Sequence, residues 1–187
     1  MIVLVCGPSG SGKTTLLTRL ACCPQCKVVT IAVTRTTPRQ NKEIGRLEME
    51  SDQFMRLMPT FRFQYSYEDS VFGLSLPEAH NSSNEYDLID YPGEYPACVE
   101  LNNILWRGLL VLPPDRYTLL RRLVAQGKEN RADSSIVEYY ECINELQNGE
   151  YQLPKWRVYI SADMTALDRI VSDCLTGRLF PVEVGAL

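Results

Sequence analysis

Histidine is nearly absent from this 187-residue chain, His80 being the only one. A zinc centre built on imidazole therefore has almost nothing to draw on, and the seven cysteines do not replace it. Cys22, Cys23 and Cys26 contain one C-x-x-C, but Cys98, Cys142 and Cys174 stand alone and supply no second pair. The cluster reads better as small apolar side chains at a helix end. An odd cysteine count without an export signal sets the expectation of reduced thiols in a cytoplasmic protein. No apolar run approaches the ~20 residues of a membrane span. Met1–Cys6 is too short, and lacks the basic flank, for a signal-peptide core. Low-complexity stretches and internal repeats are missing too. There is no excess of positive charge either: 19 Lys+Arg against 23 Asp+Glu give a net charge of −4. A surface that coats nucleic acid is therefore not expected. Nothing points to a particular oligomeric state.

What is present is the composition of a globular protein, 45% hydrophobic and 22% charged, in a length that suits one domain. The charge is unevenly spread. Lys13, Arg19, Lys27, Arg35, Arg39, Lys42 and Arg46 face one acid, Glu43, within residues 1–46, which carry +6; the remainder carries −10. A small anionic ligand is the natural target of that early positive field.

Short apolar runs alternate with longer amphipathic ones. Ile2–Cys6, Lys27–Val33, Tyr86–Tyr91, Gly108–Leu112 and Trp156–Ser161 read as strands. Thr14–Cys22, Glu94–Leu105, Arg116–Ala125, Ser135–Leu146 and Thr165–Leu175 read as helices. This alternation predicts an α/β fold, a five-stranded parallel sheet with helices on both faces. Residues 35–80 interrupt it with a polar, aromatic-rich stretch, expected to be an inserted subdomain. A second polar break at 127–134 has the composition of a flap.

The strongest motif is Gly7-Pro8-Ser9-Gly10-Ser11-Gly12-Lys13-Thr14, a complete G-x-x-x-x-G-K-[ST] between an expected strand and an expected helix. Its glycines let backbone N–H groups turn around a phosphate, and the helix start adds a favourable dipole. Lys13 can reach the β/γ-phosphates and the Thr14 hydroxyl can ligate Mg²⁺, with Thr15 following on the same turn. Gly7, Ser9, Gly10, Ser11, Gly12, Lys13, Thr14 and Thr15 are thus the candidate nucleotide-binding residues of a P-loop NTPase. Asp90 ends an apolar run ahead of Tyr91-Pro92-Gly93-Glu94. It could hold the metal through a water, or cap a helix.

The order of motifs resembles the guanylate kinase family. Gly7–Thr14 looks like its G-P-S-G-x-G-K-[ST], and Thr34-Arg35-Thr36-Thr37-Pro38-Arg39 resembles its T-T-R-x-P-R. Glu43-Ile44-Gly45 follows like G-E-x-x-G, and Phe72-Gly73 stands at Y-G. Asp90-Tyr91-Pro92-Gly93 resembles D-x-x-G, and Leu112-Pro113-Pro114-Asp115 with Leu120-Arg121-Arg122-Leu123 resembles A-P-P-S…L-x-x-R-L. Ser161-Ala162-Asp163 falls at N-D-D. The resemblance runs over about residues 1–176. It implies one kinase domain: a core (1–34 and 81–187), an acceptor-binding subdomain (about 35–80) and a lid (about 127–134). Arg35 and Arg39 would grip the acceptor phosphate, and Lys128 and Arg131 would close over the transferred group; a solvated loop is the alternative for each pair. Tyr65 and Phe72 could stack on a sugar or base, or fill the subdomain core. Ser75 and Asp90 complete the expected substrate contacts.

The chain departs from the family pattern at the acceptor end. Leu47 and Glu48 occupy the place of an acceptor-site Tyr, Phe63 or Gln64 that of the guanine-reading Glu, and Leu74 that of a Ser/Thr. Leu88 replaces an Asp, Gln126 a lid arginine, and Tyr139 or Tyr140 another arginine. A pocket missing its hydrogen-bonding partners loses specificity by orders of magnitude. The expectation is therefore an ATP- and Mg²⁺-dependent phosphotransferase acting on a small phosphorylated acceptor other than GMP, such as another nucleotide or a phosphosugar; relatives of this fold phosphorylate ribose 1,5-bisphosphate. Two alternatives stand beside it. One is a GTPase-like switch, suggested by Asp90-x-x-Gly93-Glu94; of its N-K-x-D guanine reader, Ile160-Ser161-Ala162-Asp163 keeps only the Asp. The other is a catalytically weak nucleotide-binding module on a kinase-like fold.

Overall fold

The computed structural model describes residues 1–36, 44–61, 63–67, 70–74, 86–91, 106–151 and 155–180. The expected helix at 94–105 and the candidates Arg39 and Ser75 lie outside them. Among the described residues the strands are β1 (Ile2–Cys6), β2 (Cys26–Val28), β3 (Ile31–Arg35), β4 (Arg46–Glu48), β5 (Phe63–Tyr67), β6 (Ser70–Leu74), β7 (Tyr86–Asp90), β8 (Trp106–Leu112) and β9 (Trp156–Ile160). The helices are α1 (Lys13–Leu20), α2 (Ser51–Leu57), α3 (Arg116–Ala125), α4 (Ala132–Gln147) and α5 (Met164–Leu175).

β1 is apolar at all five positions and buried at all five, so it takes the centre of a sheet ordered β2-β7-β1-β8-β9, with every pairing parallel. Its side chains alternate between two cores. Val3 and Val5 pack with Leu16, Leu17 and Leu20 of α1 and Leu167, Ile170 and Cys174 of α5. Ile2, Leu4 and Cys6 face the other way, towards a core against which Tyr139, Cys142, Ile143 and Leu146 of α4 pack. Helices thus cover both faces, as a buried parallel sheet requires. Asp115 and Asp163 start α3 and α5 as N-caps, accepting from the Thr118 and Ala166 N–H groups at 2.7 Å and 2.9 Å. Val5 lies opposite Asp90 on one side and Leu109 on the other. The carboxyl ends of β1, β7 and β8 therefore meet along one edge, where open α/β sheets hold their ligands.

Lys27–Val33 is a single strand in the sequence reading, and here the structure differs. Val28 pairs with Leu88 in the first sheet, but Ile31 pairs with Arg46 in a second sheet ordered β4-β3-β6-β5. The Val29 N–H still donates to the Leu88 carbonyl at 2.8 Å and the Ile31 N–H to the Gly45 carbonyl at 2.9 Å. The chain thus changes sheets with both flanking amides bonded. Val29, Ile31, Val33, Phe72 and Leu74 join Ile2, Leu4 and Leu110 in one continuous core, which fixes the second sheet against the first.

Burial in and around these cores raises several acids. The Cys142 thiol is pushed up to about 11, by burial first and the Glu145 charge second. The Tyr65, Tyr151 and Tyr159 phenols are raised as well, with burial the leading cause in each. These groups stay protonated in the folded chain at pH values where their unfolded counterparts, at ordinary values of 9.0 for thiol and 10.0 for phenol, have ionised. The unfolded chain then binds fewer protons, so stability falls as pH rises. The contribution is complete below about pH 9 and is lost progressively above it. Urea midpoints should drop between about pH 9 and pH 11. A flat profile across that window contradicts the assignment.

Candidate functional site

β1 stops at Cys6 and α1 begins at Lys13, and the glycine-rich motif turns between them. Gly7, Gly10 and Gly12 have φ of 135°, 81° and 106°, the left-handed region that side chains avoid. At Gly7 space is lacking as well, since a Cβ would stand 2.1 Å from the Val111 carbonyl oxygen of β8. Gly10 packs on Leu119 and Leu123 of α3. The Ser11 N–H donates to the Pro8 carbonyl at 3.1 Å. The Lys13 ammonium folds back over the loop and donates to the Gly7 and Pro8 carbonyls at 2.5 Å and 3.0 Å. Thr14 and Thr15 are exposed on the first turn of α1.

A brace fixes the far side of the loop. Arg122 donates through Nη1 to the Ser11 carbonyl (3.1 Å) and the Ser161 hydroxyl (2.9 Å), and through Nη2 to the Ser161 carbonyl (2.5 Å). The Ser161 hydroxyl in turn donates to the Ser11 carbonyl at 2.5 Å. α3, the end of β9 and the phosphate loop are thereby tied at one point, and burial, followed by the neighbouring Arg121, lowers the Arg122 pKa. Arg122 lies within a motif legible in the sequence, but the motif alone assigns it no role. The available signal was that motif's arginine together with a serine just after the last strand.

On the second sheet, the Arg35 side chain is 3% exposed. Its Nε donates to the Ser70 hydroxyl at 3.0 Å and its Nη1 to Glu48 Oε1 at 3.1 Å. Asp90, the candidate metal carboxylate, meets Arg46, a residue the sequence reading leaves without a role. Arg46 donates through Nη2 to Asp90 Oδ2 (2.9 Å) and to its carbonyl (2.8 Å), and through Nη1 to the Tyr65 hydroxyl (3.3 Å). Its guanidinium lies 4.7 Å from the centre of the Phe72 ring, a cation–π contact. Burial opposes this charge, but Asp90 and then Tyr65 outweigh it and hold the guanidinium above its ordinary value. Tyr65 and Phe72 stack on each other, with centroids 4.7 Å apart and planes 8° apart, and Phe72 belongs to the core. Of the two options open for these rings, the geometry matches the packing one.

The flap residues fall at the start of α4. Lys128 and Arg131 are half-buried, Arg131 closing a short 3₁₀ turn (Glu129–Arg131) that runs into the helix. One further residue of α4 reaches the loop, and the sequence reading passes over it. The Ser9 N–H donates to Glu138 Oε2 at 3.1 Å. Three groups expected to serve phosphates or metal thus hold side chains of the chain itself: Ser9 holds Glu138, Arg35 holds Glu48, and Asp90 holds Arg46. No helix among the described residues is long and apolar enough to cross a membrane. No group of three or more His, Cys, Asp or Glu among them is placed to hold a metal ion.

A guanylate kinase of Lawsonia intracellularis (strain PHE/MN1-00) is 26% identical to this chain over 185 residues, covering 96% of this chain and 86% of that protein. The crystal structure of guanylate kinase from Anaplasma phagocytophilum matches with a TM-score of 0.63 at 16% identity, over 97% of this chain and 87% of that one. No family model matches the chain. The chain is thus similar in sequence to one guanylate kinase along nearly its whole length, and it shares the α/β fold of another.

Proposed function

We propose that this chain transfers the γ-phosphate of ATP to a small phosphorylated acceptor. The phosphate loop carries the reading. Its three left-handed glycines, its lysine and its brace through Arg122 and Ser161 form a rigid seat for a polyphosphate. Lys13, released from the Gly7 and Pro8 carbonyls, would neutralise charge on the transferred group. Mg²⁺, carried in with the nucleotide, would spread the phosphate charge further. The residues fit it: the Thr14 hydroxyl is exposed beside the loop, and Asp90 keeps Oδ1 buried with no hydrogen-bond donor among the described residues while Oδ2 holds Arg46. Arg35 and Arg39 would hold the acceptor phosphate, with Lys128 and Arg131 closing over the reacting groups and excluding water. Residues 35–80 and 127–134 would then act as the acceptor-binding subdomain and lid.

The acceptor is a phosphate ester other than GMP. Glu48 occupies the place of an acceptor-site tyrosine and its carboxylate already holds Arg35, while Phe63 or Gln64 stands where the family has its guanine-reading glutamate. A coupled ADP-release assay across nucleoside monophosphates and sugar phosphates tests this. ATP binding without acceptor-stimulated turnover sinks the transferase reading, and GMP as the best acceptor sinks the specificity. Arg35→Lys keeps the charge but loses the planar fork. It should raise the acceptor KM about tenfold while leaving the ATP KM unchanged.

A second reading, a nucleotide-binding module of low activity, is favoured by the internal pairing of Arg35 with Glu48 and of Ser9 with Glu138. It predicts tight nucleotide binding with no acceptor effect. The GTPase alternative loses ground on Asp163, whose carboxylate is committed to capping α5.

A further inference from the structure

We propose that Glu138 is an internal anion that occupies the phosphate loop and sets its affinity, so that a polyphosphate enters only by displacing this carboxylate. The proposal rests on the loop being a polyphosphate site, but not on any transfer from it.

Ser9 lies within the motif whose backbone N–H groups are built to face phosphate oxygens. Its N–H instead donates to Glu138 Oε2 at 3.1 Å, across 129 residues of sequence. A carboxylate oxygen on a phosphate-loop amide is the protein's own counterpart of a phosphate oxygen. Glu138 is also held there firmly. Cys142 and Leu146, on the same helix, pack against the main core, so α4 is anchored beside the loop. One turn beyond Cys142, Glu145 accepts from the Tyr151 hydroxyl at 2.5 Å. The Lys13 ammonium is meanwhile turned onto the loop's own carbonyls.

An arriving triphosphate brings several negative charges to a seat whose internal carboxylate cannot remain next to them at no cost. Each molecule of ligand must therefore break the Ser9–Glu138 contact, and the measured affinity is lowered by that competition. Neutralising Glu138 removes the penalty. Gln keeps an oxygen for the Ser9 N–H, which separates the charge from the contact, and Ala removes both.

The experiment is calorimetric titration of sodium tripolyphosphate, and separately of MgATP, into the full chain. The wild type is compared with Glu138→Gln, Glu138→Ala and a control, Glu141→Gln, at an exposed position of the same helix; thermal unfolding of each variant confirms folding. Both Glu138 variants should bind tripolyphosphate about tenfold more tightly, equivalent to ~1.4 kcal/mol. The control should stay within about twofold of the wild type, because an exposed charge that does not hold the Ser9 N–H acts through water and is weak. Unchanged or weaker binding in either Glu138 variant overturns the proposal. So does the absence of tripolyphosphate binding in every variant. Tripolyphosphate has no base and needs no acceptor. Tightening with it therefore supports the role of Glu138 even if acceptor-stimulated ADP release is absent, and that absence counts against the transferase reading alone.

Discussion

Arg46→Met lowers the unfolding free energy by about 3–5 kcal/mol, the range for removing one partner of a buried ion pair. Urea denaturation measures it directly. The size follows from what Arg46 leaves behind. Its side chain is 5% exposed and that of Asp90 14%, so neither charge is well solvated. Methionine fills much of the volume and keeps the contact with Phe72, but it strips the Asp90 carboxylate of its cation and the Tyr65 hydroxyl of a donor. Asp90 Oδ1 already has no hydrogen-bond partner among the described residues, so the carboxylate cannot turn to another donor there. Much of the cost should therefore come from the stranded charge, which a second variant isolates. Arg46→Met combined with Asp90→Asn should be more stable than the sum of the two single effects predicts, by about 1–3 kcal/mol. Strict additivity would mean that the two side chains do not act as a pair.

That pair also marks the limit of what local pattern carries. β1 and α3 have the bounds that the sequence reading assigns them, because a five-residue apolar run and a helix opened by an aspartate cap are local signals. The parallel sheet follows from the alternation of strands and helices, and the phosphate loop from glycine spacing that few other structures need. The sheet change after Val28 has no such signal, since Val29 and Ile31 suit either sheet equally. The carboxylate partners are less legible still. Glu138 meets Ser9 across 129 residues, Asp90 meets Arg46 across 44, and Glu48 meets Arg35 across 13. Glu138 and Glu48 look like surface charges on their own segments and Asp90 like a metal ligand or helix cap, and each becomes a partner only when the fold closes. The early excess of positive charge was readable. That Arg35 and Arg46, two of its seven bases, are answered by carboxylates from elsewhere in the fold was not.

Lys13→Ala lowers acceptor-stimulated ADP release by about 10²–10³-fold, the loss typical of removing one preorganised charge-stabilising group. The effect should fall on kcat more than on the KM for ATP. In the proposed transfer Lys13 would meet charge that grows on the transferred phosphoryl group, and only interactions stronger in the transition state than in the ground state accelerate the chemical step. In the structure the ammonium lies over the loop, on the Gly7 and Pro8 carbonyls, so it need only turn from these acceptors to the phosphate and not be recruited from a distance. The loop should survive the substitution. Its shape depends on the left-handed glycines, the packing of Gly10 on Leu119 and Leu123, and the Arg122–Ser161 brace, none of which Lys13 provides. Arg46→Met and Lys13→Ala should therefore separate cleanly, the first acting on the urea midpoint and the second on turnover with a near-native midpoint. Turnover that persists within about threefold in Lys13→Ala is incompatible with transition-state stabilisation by this residue. It would pass the role of chief cation to Arg35, Lys128 or Arg131, each of which can be tested by the same kinetic comparison.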